Sequence, residues 1–289
     1  MPPDLELPRN LVAAVARERL PAWSRWLEEL PATVEGVLAR WRLRAGRPFQ
    51  PGGECSWVAP VRTADDRHLV LKVAYRHTES EHEVEGLQAW AGRGTVQVHR
   101  WEKDDASTYL LLERCSAGRM LSDRPEEEQD EVVAGLLRRL WVEPPPGHPF
   151  RPLAQMCAEW AEQVARQPGD RLDPGLARLG RELFVTLPSS ATEERLLLTD
   201  LHAQNVLVAE REPWLVIDPK PYVGDPAYDP LQHLFNCLER MRADPRALIA
   251  RMADLCGVDR ERLALWAFAR FAVESAWSPV ADIAESLAP

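Results

Sequence analysis

The sequence predicts an α+β fold in two parts, a small strand-rich lobe followed by a mainly helical lobe. Short β-type runs with one helix among them occupy residues 56–113, and helical periodicity takes over from Arg124 onward. The length, 289 residues, exceeds one average small domain, and 45% hydrophobic residues are enough for a sizeable core. The expected division is an N-terminal lobe with leading helices over 1–113, a hinge at 114–118, and a helical lobe over 119–289.

Taken in order, NLVAAVARERLPAWSRWLEELPATVEGVLARW predicts two or three short amphipathic helices punctuated by Pro21 and Pro31. Strands follow near 56–62, 69–75, 95–101 and 109–113, with a helix over 80–91. TYLLLERCSAG (108–118) reads as a buried strand that opens into a polar, Gly-ended stretch. PEEEQDEVVAGLLRRLW has an acidic start and a basic end, the polarity a helix dipole favours. PPPGHP (144–149) is a stiff linker inside the helical lobe. RPLAQMCAEWAEQVARQ and DPGLARLGRELFVTL are the next helices, the second opened by Asp173 and Pro174. The last two run from Asp244 and Pro245 to Gly257, and through DRERLALWAFARFAVESAW.

Residues 197–218 hold the densest chemistry. NVLVA (205–209) and WLVID (214–218) are β-type runs separated by four residues, which predicts a hairpin. If Ala209 pairs with Trp214, antiparallel register sets Asn205 opposite Asp218 at the open end. An amide and a carboxylate there suit Mg²⁺, a hard cation that completes its octahedron with water and substrate phosphates. Asp200 lies five residues before Asn205, on a loop able to curl back over the same end and meet a hydroxyl. Taken singly, each of these residues is also an ordinary turn or cap residue. Together, three polar groups bordered by Leu196, Leu197, Leu198, Val216 and Ile217 would be costly to desolvate without a ligand or partner.

TDLHAQNVL, VIDPK and GDPAYD resemble the catalytic and metal-binding segments of the aminoglycoside phosphotransferase family, small-molecule kinases with a protein-kinase-like fold. CSWVAPVRT and VLKVAYRH, upstream, resemble its streptomycin 6-phosphotransferase and hydroxyurea phosphotransferase branch. The resemblance spans residues from about 50 to about 240. It implies a bilobal molecule with the active site in the cleft, using ATP and Mg²⁺. It assigns Asp200 to the acceptor hydroxyl and Asn205 and Asp218 to Mg²⁺. Lys72 takes the α- and β-phosphates, and Ser56 lies in the loop over the nucleotide. The backbone from Glu113 to Cys115 meets the adenine edge, and Asp225 braces the catalytic loop. For the partner of Lys72, Glu83 is preferred over Glu79, Glu81 and Glu85, because it shares a helical face with Leu87 and Trp90. Relatives carry His-Gly where this chain has Leu198 and Thr199, and a glycine is common at the position of Gln204. A missing glycine means either that positive φ is not needed or that the position is strained.

Several of these residues also have ordinary readings. Gly52-Gly53 could form a plain turn, Lys72 could snorkel from an edge strand, and Asp225 and Asp229 could cap a helix. Glu274, at the edge of the stripe Leu263, Trp266, Ala267, Arg270, Phe271, either binds a cationic substrate or is a solvated helix edge. No GxxxxGKS/T motif occurs, which argues against a P-loop enzyme.

With 35 Lys and Arg against 45 Asp and Glu, the net charge of −10 disfavours nucleic acid and suits a cationic small-molecule substrate. Five scattered cysteines without a CxxC pair argue against a disulfide framework or structural metal. No signal-peptide pattern and no long apolar run is present, so a cytoplasmic protein without membrane association is expected, monomeric or weakly dimeric. Three functions stay open: an aminoglycoside kinase of streptomycin type, a kinase for another small hydroxylated or hydroxylamine compound such as hydroxyurea, and a nucleotide-binding homologue without chemistry.

Overall fold

The computed structural model describes residues 5–115, 118–167 and 169–289. Contacts divide the chain into two compact units, residues 1–92 with 96–116, and residues 93–95 with 117–289. Within the expected hinge, Ser116 and Ala117 lie outside the described residues.

The first unit opens with α1 (Arg9–Glu18) and α2 (Pro21–Trp41). Pro21 stands in the first turn of α2, where a missing N–H has no partner to lose. Pro31 was expected to separate two helices, yet α2 runs straight through it. Trp23, Trp26, Leu30, Val34, Val37 and Trp41 form one buried stripe on both sides of Pro31. That packing outweighs the roughly 3 kcal/mol an interior proline costs.

Next come β1 (Arg44–Ala45), β2 (Ser56–Arg62), β3 (His68–Tyr75), α3 (Glu83–Trp90), β4 (Val98–Lys103) and β5 (Ser107–Glu113). The strands form an antiparallel sheet in the order β1-β2-β3-β5-β4. Leu69, Leu71 and Val73 of β3 join Trp57, Ala59, Tyr109 and Leu111 in the core beneath α1 and α2. Alternation then turns Lys72 to the opposite face. β4 begins later than the expected 95–101, with an irregularity between Val98 and Arg100, because Thr95 pairs with Val216 instead.

The second unit contains α4 (Glu126–Leu140), β6 (Arg151–Pro152), α5 (Leu153–Arg166), α6 (Pro174–Thr186), β7 (Arg195–Leu197), β8 (Val206–Val208), β9 (Trp214–Val216) and β10 (Tyr222–Gly224). Five helices complete it: α7 (Leu231–Phe235), α8 (Leu238–Ala243), α9 (Pro245–Cys256), α10 (Arg260–Glu274) and α11 (Ala281–Leu287). Asp173 caps α6 by accepting from Gly175 and Leu176, and Asp244 caps α9 by accepting from Ala247, as the sequence predicts. β10 pairs with β7 antiparallel and with β6 parallel, while β8 and β9 form a separate hairpin.

α10 is the central helix of this unit, with Trp266, Phe268 and Phe271 fully buried. α6 packs against it at Gly180, where an added Cβ would come within 2.2 Å of the Ala272 Cβ. Asp130, fully buried on α4, accepts from His233 (2.9 Å), Arg240 (2.7 and 3.0 Å) and Arg251 (2.9 Å), joining α4 to α7, α8 and α9. Among the described residues, no helix is long and apolar enough to cross a membrane.

Candidate active site

The catalytic-loop candidate leaves β7 at Leu198, which is fully buried, and turns sharply at Thr199, whose φ is +49°. A β-branched residue is strained in that region, so the absence of glycine here marks strain and not freedom from positive φ. Three hydrogen bonds hold the turn: Thr199 Oγ1 donates to the Lys220 carbonyl (2.6 Å), Lys220 N–H donates to the Leu198 carbonyl (2.9 Å), and Asp200 N–H to the same carbonyl (2.7 Å). Gln204, by contrast, is exposed in a 3₁₀ turn over Ala203–Asn205 and takes no positive φ.

Asp229 fixes this loop from below. Its fully buried carboxylate accepts from the backbone N–H of Leu198 (3.0 Å) and of Thr199 (2.6 Å), and from Trp141 Nε1 (2.9 Å). Burial pushes the carboxyl up to about 6, against the pull of the three donors. The brace expected at Asp225 therefore falls to Asp229. Asp225 instead caps the 3₁₀ turn Pro226–Tyr228 through Ala227 N–H (3.0 Å) and anchors it to α10 through Arg262 Nε and Trp266 Nε1, both at 2.6 Å.

The hairpin register also differs from expectation. Val206 pairs with Val216, Leu207 with Leu215 and Val208 with Trp214, so Asn205 stands level with Ile217 and not with Asp218. Ala209 N–H donates to the Pro213 carbonyl (3.4 Å), closing the hairpin one residue earlier and leaving five residues between the strands. This register buries Val206 against Val216, and a one-residue slip would undo that match. Asp218 follows Ile217 at φ +55°, while Ile217 N–H donates to the Asn205 carbonyl (2.9 Å). Asn205 and Asp218 thus stay neighbours across the open end, by a turned backbone and not by direct pairing.

Asn205 Nδ2 donates to the Asp200 carbonyl (3.0 Å), which leaves the amide oxygen to meet a cation. One amide and one carboxylate do not enclose a metal, and no group of three or more His, Cys, Asp and Glu among the described residues could do so. A set this small fits Mg²⁺, which takes one or two protein oxygens and fills the rest from water and phosphate. Sequence reasoning missed Lys220: its Nζ lies 3.3 Å from Asp200 Oδ2, and the available signal was its place two residues after Asp218 in VIDPK.

In the first unit, Lys72 Nζ lies 2.8 Å from both carboxylate oxygens of Glu83, and both residues are buried. Glu81 and Glu85 turn to Arg76 and Lys103. Ser56 is buried at the start of β2, opposite Ala74. The preceding PGG loop is pinned to α1 by Asn10, whose N–H donates to the Pro51 carbonyl (3.0 Å) and whose Nδ2 donates to that of Gly52 (2.9 Å). At the end of β5, Glu113 donates its N–H to the Gln97 carbonyl (2.8 Å), and Cys115 two residues on is half-buried. Back in the second unit, Glu274 is neither a solvated edge nor poised for a foreign cation. It pairs with Arg270 (2.7 Å), a buried guanidinium that also donates to Tyr228 Oη (2.6 Å) and lies 4.1 Å from the Trp160 ring.

Solved structures of this fold include a choline kinase from Streptococcus pneumoniae, with TM-score 0.61, 13% identity, and coverage of 90% of this chain and 92% of that one. A macrolide 2'-phosphotransferase from Brachybacterium faecium superposes with TM-score 0.53 at 19% identity, over 90% of this chain and 97% of that one. The fold is therefore the α+β fold of kinases that act on small molecules. The family model for aminoglycoside/hydroxyurea antibiotic resistance kinases matches residues 40–281, and the chain belongs to that family. A hydroxyurea phosphotransferase from Kitasatospora aureofaciens is 38% identical over 279 residues, 94% of this chain and 80% of the relative. A streptomycin 6-kinase from Streptomyces griseus is 35% identical over 295 residues, 99% of this chain and 94% of the relative. The chain is accordingly a phosphotransferase.

Proposed function

We propose that the chain transfers the γ-phosphoryl group of ATP to a hydroxyl of a streptomycin-type aminoglycoside in the cytoplasm. The observation that carries this reading is the 35% identity to a streptomycin 6-kinase, spread over 99% of this chain. Asp200 aligns the acceptor hydroxyl and takes its proton. Lys72, steadied by Glu83, contacts the α- and β-phosphates, with Ser56 and the backbone of Glu113 and Cys115 lending further contacts to the nucleotide. Asn205 and Asp218 would hold Mg²⁺, which neutralises phosphate charge when bound. Because phosphoryl transfer has a loose transition state, these groups act through position and charge more than through strong base chemistry. The net charge of −10 suits a cationic acceptor.

Asp200→Ala should lower turnover by on the order of 10²- to 10⁴-fold while leaving nucleotide affinity nearly unchanged. Full turnover in that variant would sink the assignment. A second reading, phosphorylation of hydroxyurea, is favoured by the 38% identity to a hydroxyurea phosphotransferase. Mg²⁺-dependent ADP release, with mass analysis of the product, separates the two when measured with streptomycin, other aminoglycosides, hydroxyurea and simple alcohols. Release with hydroxyurea alone would favour the second reading. Nucleotide binding with no release on any acceptor would leave a homologue without chemistry.

A further inference from the structure

We propose that Lys220 is a further catalytic residue, whose ammonium donates hydrogen bonds to the phosphoryl group as it passes to the hydroxyl aligned by Asp200. The inference rests on the proposed function. Its starting point is distance: Lys220 Nζ lies 3.3 Å from Asp200 Oδ2. A hydroxyl hydrogen-bonded to that carboxylate sits about 2.7 Å from it. A phosphoryl group bonding to that hydroxyl then comes within reach of the same ammonium.

The backbone supports this placement. Lys220 lies between two buried prolines, Pro219 and Pro221, which restrict its backbone on both sides. Its N–H is bound by the Leu198 carbonyl (2.9 Å) and its carbonyl by Thr199 Oγ1 (2.6 Å). The peptide carrying the ammonium is thus fastened to the two residues immediately before Asp200.

Stability gives little account of the pair, since the Lys220 side chain is 31% exposed and a partly exposed ion pair contributes little. Lysine is also the suitable residue: a compact charge with three rotatable donors can meet a carboxylate and a phosphoryl oxygen together. In the step itself, the hydroxyl oxygen bonds the phosphorus and the bond from phosphorus to the ADP oxygen breaks. The hydroxyl proton passes to Asp200, and Lys220 keeps its own protons while its donors follow the charge on the transferring oxygens.

The test compares Lys220→Met, Lys220→Arg and Asp200→Asn with the wild type. Turnover is measured alongside calorimetric binding of MgADP, and of MgADP with aluminium fluoride as a mimic of the transferring group. Lys220→Met should lose about 10²- to 10³-fold in kcat. Its MgADP affinity should stay near the wild-type value, while the tightening produced by the fluoride mimic disappears. Lys220→Arg should recover part of both. Near wild-type kcat in Lys220→Met overturns the proposal, as does an equal weakening of MgADP with and without fluoride, which would mark a structural role. If Asp200→Asn keeps full turnover, or the wild type phosphorylates no acceptor, the underlying functional reading fails instead, and this proposal with it.

Discussion

Asp229 and Thr199 show how much of the site rests on single contacts. Removing the Asp229 carboxylate would leave the N–H groups of Leu198 and Thr199 and the Trp141 indole without their acceptor. Each buried group left unsatisfied costs about 1–3 kcal/mol. Asp229→Ala should therefore destabilise by about 3 kcal/mol or more, read as a lower urea midpoint, and should depress turnover through the loosened loop. A midpoint within about 0.5 kcal/mol of wild type would contradict the contacts described, since that is the range of an inconsequential surface change. The pairing of Lys72 with Glu83 was legible from helical spacing, and the contact of Asn205 with the Asp200 loop from the five residues between them. The brace was read as Asp225, where the structure gives it to Asp229. Both carboxylates bracket one turn, and which of them meets the loop amides depends on how that turn packs against α10.

At the level of elements, the hairpin was readable as a hairpin but not in its register. Two apolar runs are recognisable from alternation, whereas a one-residue slip is decided by loop closure, and here Ala209 and Pro213 close the loop. The first helices followed the same pattern. Amphipathic periodicity was plain, but the continuity of α2 through Pro31 depends on tryptophans packed against a distant sheet. Pro31→Ala should restore the missing helical donor and stabilise the protein by about 1–3 kcal/mol, less the greater freedom it gives the unfolded chain. A higher melting temperature with unchanged turnover is the expected result. A loss of stability would mean that the proline fills a packing need of its own.

Across the whole molecule, the buried cluster around Asp130 links four helices and carries a pH signature. Burial works against charge on His233, but its hydrogen bond to Asp130 prevails and raises its pKa to about 9. A histidine raised in the folded state adds stability that is complete below its unfolded value of about 6.5 and is lost as pH rises through the folded value. Stability should therefore fall by on the order of a few kcal/mol between about pH 6.5 and 9. His233→Gln should flatten that slope in denaturant titrations, and an unchanged slope would place its origin elsewhere. Asp130, held well below the usual carboxylate range despite burial by His233, Arg240 and Arg251, contributes stability that fades only in acid.

The three residues 93–95 carry a different consequence. They belong to the second unit, where the Gly94 carbonyl accepts from Val216 N–H (2.9 Å) and the Thr95 carbonyl from Arg211 (2.8 Å). Neither unit is therefore one uninterrupted piece of chain. A fragment running from residue 118 to the end would leave the Val216 amide on an open strand edge, an invitation to aggregate. Chimeras that join the front of one relative to the back of another at a single point would also pair a foreign tripeptide with the hairpin that follows Asp200. Exchanges that carry 93–95 along with the back part should express better than single-junction ones.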